Sequence, residues 1–356
     1  MKNQSELFGH PKGLFYLFFA ELWERFSYYG MRALLTLYMV NEFFSWMTDE
    51  AYREEVSFGI FAAYGSLVYA TPVLGGMIAD KFIGFKKSIM LGGILMALGH
   101  FFMAFYFDTD MFGFDATSIN NFFFYAALAL LIIGNGFFKP NISSMVGRLY
   151  PEGDDRRDSG FTIFYMGINA GAFLAPLACG WLGYEFGWHY GFGAAGVGMI
   201  AGLLVFMKGM NDGVFGENGN QPAEYVEKKM YGIRTDYFFY ILAALMVPIA
   251  AFLVKNNAME VIGLMSTSTA HIVMLSIISI YVAYSKNLIN GIYLIVGYLL
   301  LPHLLLQFFP GVHLHTALLL ILGVIILGII AKKMTELSRM EVFRLVSVLV
   351  LTLLIT

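Results

Sequence analysis

Long apolar runs are the feature that most constrains this chain. About 20 helical residues cross the roughly 30 Å hydrocarbon layer of a bilayer, and many runs here approach that length. Only 13% of the residues are charged, against about 25% in a soluble protein. The sequence therefore predicts an all-α, polytopic transmembrane protein. The spans are expected at about 14–40, 56–80, 88–107, 121–142, 160–184 and 188–207, and, after a polar segment, at 237–254, 261–284, 288–309, 315–331 and 341–356.

Positive charge is distributed unevenly between the two sides that these spans define. With the N-terminus inside, 17 of the 22 Lys and Arg residues fall on the inner face. Only Arg53 and Lys255 fall outside, where the first two loops are acidic and include Asp108 and Asp110. The positive-inside rule therefore predicts a cytoplasmic N-terminus. The first run has charges in its middle and no small-residue cleavage site, so it is interpreted as a retained span.

The first span carries Glu21, Glu24, Arg25 and Arg32, although a charge at a helix centre opposes insertion by about 2.5–3.5 kcal/mol. At 100° per residue, these four side chains and two tyrosines share one face of roughly 140°. Glu21 and Arg25 are i,i+4 partners, so an ion pair within the helix is feasible. Such a pair could simply fix helix packing. The number of polar groups on the face favours a wet, functional cavity.

Lys139, near the end of the fourth span, is another cation within the membrane region and is followed by Pro140. Proline frees a backbone carbonyl, and interrupted helices are tolerated where they line a cavity. The alternative is a lysine that extends to the inner membrane surface. The histidines show no metal-ligand spacing, and Gly134-x-Gly136 follows a membrane helix rather than a strand. No metal, no cofactor other than a coupling proton, and no nucleic-acid partner are predicted.

Four motifs in the first 210 residues resemble those of the proton-coupled oligopeptide transporter family, a branch of the major facilitator superfamily. The first span reads Glu21-Leu-Trp-Glu24-Arg25-Phe26-Ser-Tyr28-Tyr29-Gly30, which matches the family signature ExxERFxYYG in full. The loop around Asp80 is similar to the superfamily motif between spans two and three. The stretches Phe138-Lys139-Pro140-Asn141-Ile142-Ser143 and Phe161 to Ala172, which contains Asn169, are similar to two further family patterns.

The resemblance implies a role for individual residues. Arg25 and Lys139 would bind the carboxylate end of a di- or tripeptide, and Glu21 and Glu24 would take part in proton coupling. The same pocket would be lined by Tyr29, Arg32 and Tyr69. Asp80, Pro140, Asn141 and Asn169 would serve as structural motif residues. The residue chemistry agrees, because a guanidinium and an ammonium can hold a carboxylate, and a glutamate beside an arginine can exchange partners when it gains a proton.

The chain also departs from the family pattern. The second span lacks the histidine of eukaryotic members, which indicates the bacterial type. The resemblance implies a six-helix bundle at 1–210 and a cytoplasmic linker at 211–236. Inter-bundle hydrophobic helices are then expected at 237–340, with an enlarged connection at 257–310, and the start of a truncated C-terminal bundle at 341–356. With one bundle, the charged face of the first span is expected to be open to water or covered by helices from 237–331.

These observations predict a bacterial inner-membrane symporter of di- and tripeptides with protons, in a form that cannot pump by itself. One alternative is a transporter of another small anionic or amino-acid-like solute. A second is a membrane-embedded transferase, and a third is a sensor or scaffold that does not transport. Charges midway through the membrane at the bundle centre would favour a transporter, whereas charges at one interface beside a lipid-accessible groove would favour an enzyme.

Overall fold

A computed structural model describes residues 6–107 and 115–256 of the chain. The apolar runs at 261–284, 288–309, 315–331 and 341–356, and the loop acids Asp108 and Asp110, lie outside the described residues. Within the described ranges the chain is almost entirely helical. Its helices are α1 Lys12–Tyr38, α2 Glu50–Ile78, α3 Phe85–Ala104, α4 Ala116–Arg148, α5 Arg157–Phe186, α6 Trp188–Asn211, α7 Ala223–Val226 and α8 Thr235–Asn256.

The predicted all-α membrane fold is confirmed. Six of the described helices, α2 to α6 and α8, are long and apolar enough to cross a membrane. Helix α1 falls outside this group because its charged residues lower its hydropathy, yet its 27 residues extend about 40 Å. Short π-helical turns continue two helices, at Met39–Phe43 after α1 and at Ala79–Ile83 after α2.

Helix starts depend on capping as well as on hydropathy, so the predicted bounds differ from the observed ones. The run predicted at 121–142 is part of a helix that begins at Ala116, because the Asp115 carboxylate accepts from the Ser118 amide at 2.8 Å. Asp49 caps α2 in the same way, through the amide of Tyr52. Hydropathy marks the part of a helix that lipid can surround, whereas the cap marks where helical hydrogen bonding starts.

Helix packing places α1 in contact with α5 and α6, while α4 packs between α3 and α2. Helix α3 also contacts α6, which links the two groups, and α8 packs against α4 and α2. The buried apolar side chains of α1, α3, α4 and α6 form one continuous core. Helix α1 thus occupies an internal position, in agreement with its charged sequence.

Helices α2 and α4 approach each other closely at Gly75. An added Cβ at this position would collide with the carbonyl of Gly136. Pro140 has no amide hydrogen to donate to that carbonyl, so the proline leaves Gly136 free to face α2. The Thr71 hydroxyl donates to the carbonyl of Ile132 at 3.0 Å beside this contact. Pro140 does not interrupt α4, which continues through it to Arg148.

The polar segment predicted at 211–236 is ordered in this structure. It contains α7 and a small antiparallel hairpin of β3 Lys229–Met230 and β4 Ile233–Arg234. A similar hairpin, of β1 Glu6–Leu7 and β2 His10–Pro11, precedes α1. The segment is held to the start of α3. Lys86 donates to the carbonyl of Gly216 at 2.6 Å, and Lys87 pairs with Asp236 at 2.6 Å.

The N-terminal hairpin is held by the loop between α4 and α5. The Arg156 guanidinium pairs with Glu6 at 2.8 Å, and the ring of His10 shares a 2.8 Å hydrogen bond with the Tyr150 hydroxyl. Arg156 also donates to Asp154 and lowers the pKa of that carboxyl to about 2. The basic side chains of Lys86, Lys87 and Arg156 thus connect several loops at one end of the helices, which we call the basic end.

The contact at Gly75 predicts a difference between two glycines of α2. We expect Gly75→Ala to destabilise the protein by about 1–3 kcal/mol, because the methyl group must push α4 away. Gly65→Ala is the matched control, since nothing lies within 4 Å of its added Cβ. Thermal unfolding in detergent should show a lower midpoint for Gly75→Ala and an unchanged or higher one for Gly65→Ala. Equal midpoints would contradict the proposed importance of the contact.

Candidate functional site

The centre of α1 holds a buried group of opposite charges, Glu21, Glu24 and Arg25, which we call the charge cluster. Arg25 Nε lies 3.0 Å from Glu21 Oε1 and is also ion-paired with Glu24. The three residues are only 2%, 0% and 3% exposed. In a helix that runs from Lys12 to Tyr38, the cluster lies about midway along the axis. The charges therefore occupy the middle of the described bundle.

The charge cluster is buried, and two neighbouring helices come directly against α1 beside it. An added Cβ at Gly171 of α5 would lie 3.0 Å from Arg25 Cβ, and one at Gly202 of α6 would lie 3.0 Å from the Ala20 carbonyl. Glycines on two helices thus let their backbones come directly against α1. Of the two expected arrangements, opening to water does not describe these buried charges, and residues 257–331 of the expected cover lie outside the described residues. The run predicted at 237–254 lies within α8, which packs on α4 and α2.

Lys139 of α4 faces the same region of the bundle. Its Nζ lies 4.9 Å from the centre of the Tyr69 ring, a cation–π geometry. It also lies close enough to Glu21 and Glu24 to stabilise their negative charge. The side chain is directed toward α1 and α2, so the alternative of a lysine extended to the membrane surface does not describe this structure. Arg25 and Lys139 act on the same two carboxylates from different helices.

Aromatic rings surround the cluster. Arg25 lies 5.3 Å from the centre of the Tyr28 ring, and Tyr28 meets Tyr29 edge to face at 5.3 Å between ring centres. One turn further along α1, Arg32 lies 5.2 Å from the ring of Phe61 in α2. The structure thus brings together the charged and aromatic residues predicted to line a pocket: Glu21, Glu24, Arg25, Tyr29, Arg32, Tyr69 and Lys139.

The predicted motif residues lie elsewhere. Asp80 pairs with Arg148 at 3.1 Å at the basic end, where both residues border a cavity of about 650 Å³. Asn141 is buried beside this cavity and donates to the Phe137 carbonyl at 2.7 Å. Pro140 packs near Gly76 of α2, and Asn169 is exposed on α5. These positions connect helices or face outward rather than contributing to the charge cluster.

Sequence reasoning missed two buried polar residues, Tyr64 of α2 and Asn135 of α4. Tyr64 of α2 is 1% exposed and interacts electrostatically with Glu24 and Arg25. Asn135 of α4 is also 1% exposed. The signal was available for Asn135, because it precedes Lys139 by one helical turn in an otherwise apolar run. Tyr64 carries no such signal, since phenols are common in membrane helices.

Several polar atoms in this region have no hydrogen-bond partner. They are Glu21 Oε2, Glu24 Oε1, Arg25 Nη2, the Tyr64 hydroxyl and both amide atoms of Asn135. Leaving a buried polar group unsatisfied costs about 1–3 kcal/mol, so their concentration in one place is unfavourable for stability alone. A polar ligand or water would satisfy them. Among the described residues, no group of His, Cys, Asp and Glu is arranged to hold a metal ion.

The ion pairing predicts a pattern of stability. We expect Arg25→Leu to destabilise the protein by about 3–5 kcal/mol, because two buried carboxylates lose their partner. Adding Glu21→Gln and Glu24→Gln to Arg25→Leu should recover most of that loss by removing the uncompensated charges. The measurement is the unfolding midpoint of the three proteins in one detergent. A triple variant that remains as unstable as Arg25→Leu would show that packing, not charge, requires Arg25.

Comparison with known proteins shows what this chain is similar to. Residues 86–234 match the POT family model. An uncharacterised transporter of Bacillus subtilis, YclF, is 46% identical over 221 residues, which cover 62% of this chain and 42% of that protein. A di-/tripeptide transporter of Lactococcus lactis is 38% identical over 257 residues, which cover 72% of this chain and 48% of the relative.

Solved structures give the same result. A peptide transporter POT crystallised with alafosfalin is 39% identical, with a TM-score of 0.57 over 79% of this chain and 53% of the other. A POT family transporter bound to 5-aminolevulinic acid is 32% identical, with a TM-score of 0.57 over 79% of this chain and 54% of that one. This chain spans about half the length of the relatives that it matches.

Proposed function

The described part of this chain belongs to the POT family, and on that premise we propose that the protein serves the proton-coupled symport of di- and tripeptides. The observation that carries the proposal is the pair of cations, Arg25 and Lys139, held on different helices around two buried carboxylates. The Lactococcus lactis relative is named for di- and tripeptides, which end in a carboxylate. Peptides and protons are the proposed partners, and no chemical reaction is assigned.

The proposed binding mode follows from the chemistry of the cluster. A guanidinium and an ammonium can together neutralise and hydrogen-bond one carboxylate. In the described structure Arg25 is ion-paired with Glu21 and Glu24, and Lys139 stabilises the charge of the same two carboxylates. A peptide carboxylate would have to replace these internal partners, with Tyr29, Arg32 and Tyr69 as further lining. Binding is thus a competition between an internal anion and an external one.

Proton coupling follows from that competition. When Glu21 or Glu24 takes up a proton, it loses its charge and its attraction for Arg25. The released guanidinium can then bind the peptide carboxylate. A proton and a peptide therefore favour each other's binding, which is the thermodynamic requirement of symport. The coupled carboxylates act as one titrating set rather than as two independent groups.

Topology and domain organisation extend the proposal. We place the protein in the bacterial inner membrane with the N-terminus in the cytoplasm, since the positive charges gather at the basic end. Residues 1–210 would form the first transport bundle, 211–236 the linker, 237–340 the helices between bundles, and 341–356 the start of a second bundle. Transport by rocking of two bundles would then require a complete second bundle.

A second candidate is transport of a small amino-acid-like solute through the same cationic pocket. The structure with 5-aminolevulinic acid favours this alternative, because that relative is 32% identical to this chain. Competition between 5-aminolevulinic acid and dialanine for the purified protein separates the candidates by their affinities. The position of the charge cluster midway along α1 favours either transporter over a transferase, whose charges would lie beside an interfacial groove.

Lys139 provides the first test of the proposed pocket. We expect Lys139→Ala to weaken dialanine binding by about 10- to 100-fold, because a charge-assisted hydrogen bond is lost. Lys139→Arg should restore only part of the affinity, since the guanidinium differs in reach and geometry. Calorimetric titration of the purified chain in lipid nanodiscs measures both. The control is Lys208→Ala, whose side chain is 68% exposed. Undiminished binding by Lys139→Ala would refute the proposed role.

Protonation of the glutamates provides the second test. We expect the affinity for dialanine to rise as the pH is lowered, because protonation releases Arg25 from its carboxylates. Glu21→Gln with Glu24→Gln should bind with an affinity independent of pH. Titration in two buffers of different ionisation enthalpy measures proton uptake on binding directly. Glu224→Gln, at an exposed ion pair with Lys228, should leave the pH dependence intact. A double glutamine variant with the original pH dependence would place the proton site elsewhere.

A further inference from the structure

Asn135 is a buried amide with no partner in the middle of α4. It is 1% exposed, and neither its oxygen nor its nitrogen makes a hydrogen bond. Asparagine is a poor helix former, and its amide gains nothing from an apolar surrounding. A buried leucine would be the more stable choice at such a position. The residue therefore needs an explanation other than stability.

The direction of the Asn135 side chain follows from its neighbours on α4. An added Cβ at Gly134 would meet Met96 and Gly92 of α3, and one at Gly136 would meet Thr71 of α2. Each residue turns the helix by 100°, so Asn135 points between α3 and α2. Lys139, four residues on, is offset by only about 40° from it. The two side chains thus lie on the same face of α4, and Lys139 on this face is directed toward the charge cluster.

The level of Asn135 along the bundle follows from the packing of α2. Thr71 bonds the Ile132 carbonyl and packs against Gly136, so Thr71 and Asn135 lie at similar depth. Helices α1 and α2 run in opposite directions, and the Arg32–Phe61 contact sets their register. Thr71 lies ten residues after Phe61 in α2, and Leu22 lies ten residues before Arg32 in α1. Because the helices are antiparallel, Thr71 and Leu22 lie at similar depth, and Leu22 is next to Glu21. Asn135 therefore lies at the depth of Glu21, whose Oε2 is also without a partner.

We propose that Asn135 is a substrate-binding residue that hydrogen-bonds the peptide carboxylate beside Lys139. The inference rests on the proposed function and adds a residue to its site. The amide nitrogen can donate to one carboxylate oxygen while the Lys139 ammonium holds the other. An uncharged donor of this kind supplies direction to the carboxylate without adding to the positive charge of the pocket.

The test combines stability with binding, because a structural asparagine and a binding asparagine give opposite results. Asn135→Leu keeps the size of the side chain and removes two unsatisfied atoms, so the unfolding midpoint of the purified chain should stay the same or rise. Its affinity for dialanine should fall about tenfold, the effect expected for one hydrogen bond to a charged group. Asn135→Ala is the second variant, and it should weaken binding by a similar factor.

Two controls make the result specific. Ser88 of α3 is also buried with an unpartnered hydroxyl, and Ser88→Ala should leave dialanine affinity unchanged. Dialanine amide lacks the carboxylate, so Asn135→Leu should bind it as wild type does. A lower unfolding midpoint with unchanged dialanine affinity would overturn the inference and assign Asn135 a structural role. A wild-type chain that does not bind dialanine would refute the proposed function itself, and this inference with it.

Discussion

The rest of the structure depends on keeping three charges of α1 inside a membrane bundle. Glu21, Glu24 and Arg25 are almost fully buried, and their mutual pairing offsets part of the cost of removing them from water. Lys139 adds a second cation from α4, so that two negative and two positive groups share one region. This balance allows α1 to occupy the interior, although it is the most charged of the long helices.

Close helix packing makes that burial possible. Gly171 and Gly202 let α5 and α6 approach the backbone of α1, and Gly75 lets α2 approach α4. Helices in lipid gain little from the hydrophobic effect between them, so small residues and interhelical hydrogen bonds supply much of the association. The hydrogen bond from Thr71 to the Ile132 carbonyl is one of these. The bundle thus surrounds the charges with backbone and small side chains.

The site nevertheless retains polar atoms that the protein itself does not satisfy. Free oxygens of both glutamates, one Arg25 nitrogen, the Tyr64 hydroxyl and the Asn135 amide remain without partners. A region optimised for stability would have exchanged these groups for apolar ones. Their persistence on α1, α2 and α4 is consistent with a pocket that completes its hydrogen bonds when a polar solute binds. The resemblance to the POT family and the geometry therefore support the same proposed class of ligand.

The sequence by itself determined the membrane class, the approximate spans, the family and the charged residues of α1. These follow from hydropathy, from helical periodicity and from local motifs, all of which are properties of contiguous residues. Only the tertiary structure decided that α5 and α6 pack directly against α1 beside the cluster, that Lys139 faces Tyr69 and the glutamates, and that the segment at 211–236 is held to α3. The same is true of Asn135 and Tyr64, because burial and hydrogen bonding between helices depend on which faces meet. No periodicity within one helix specifies its partner.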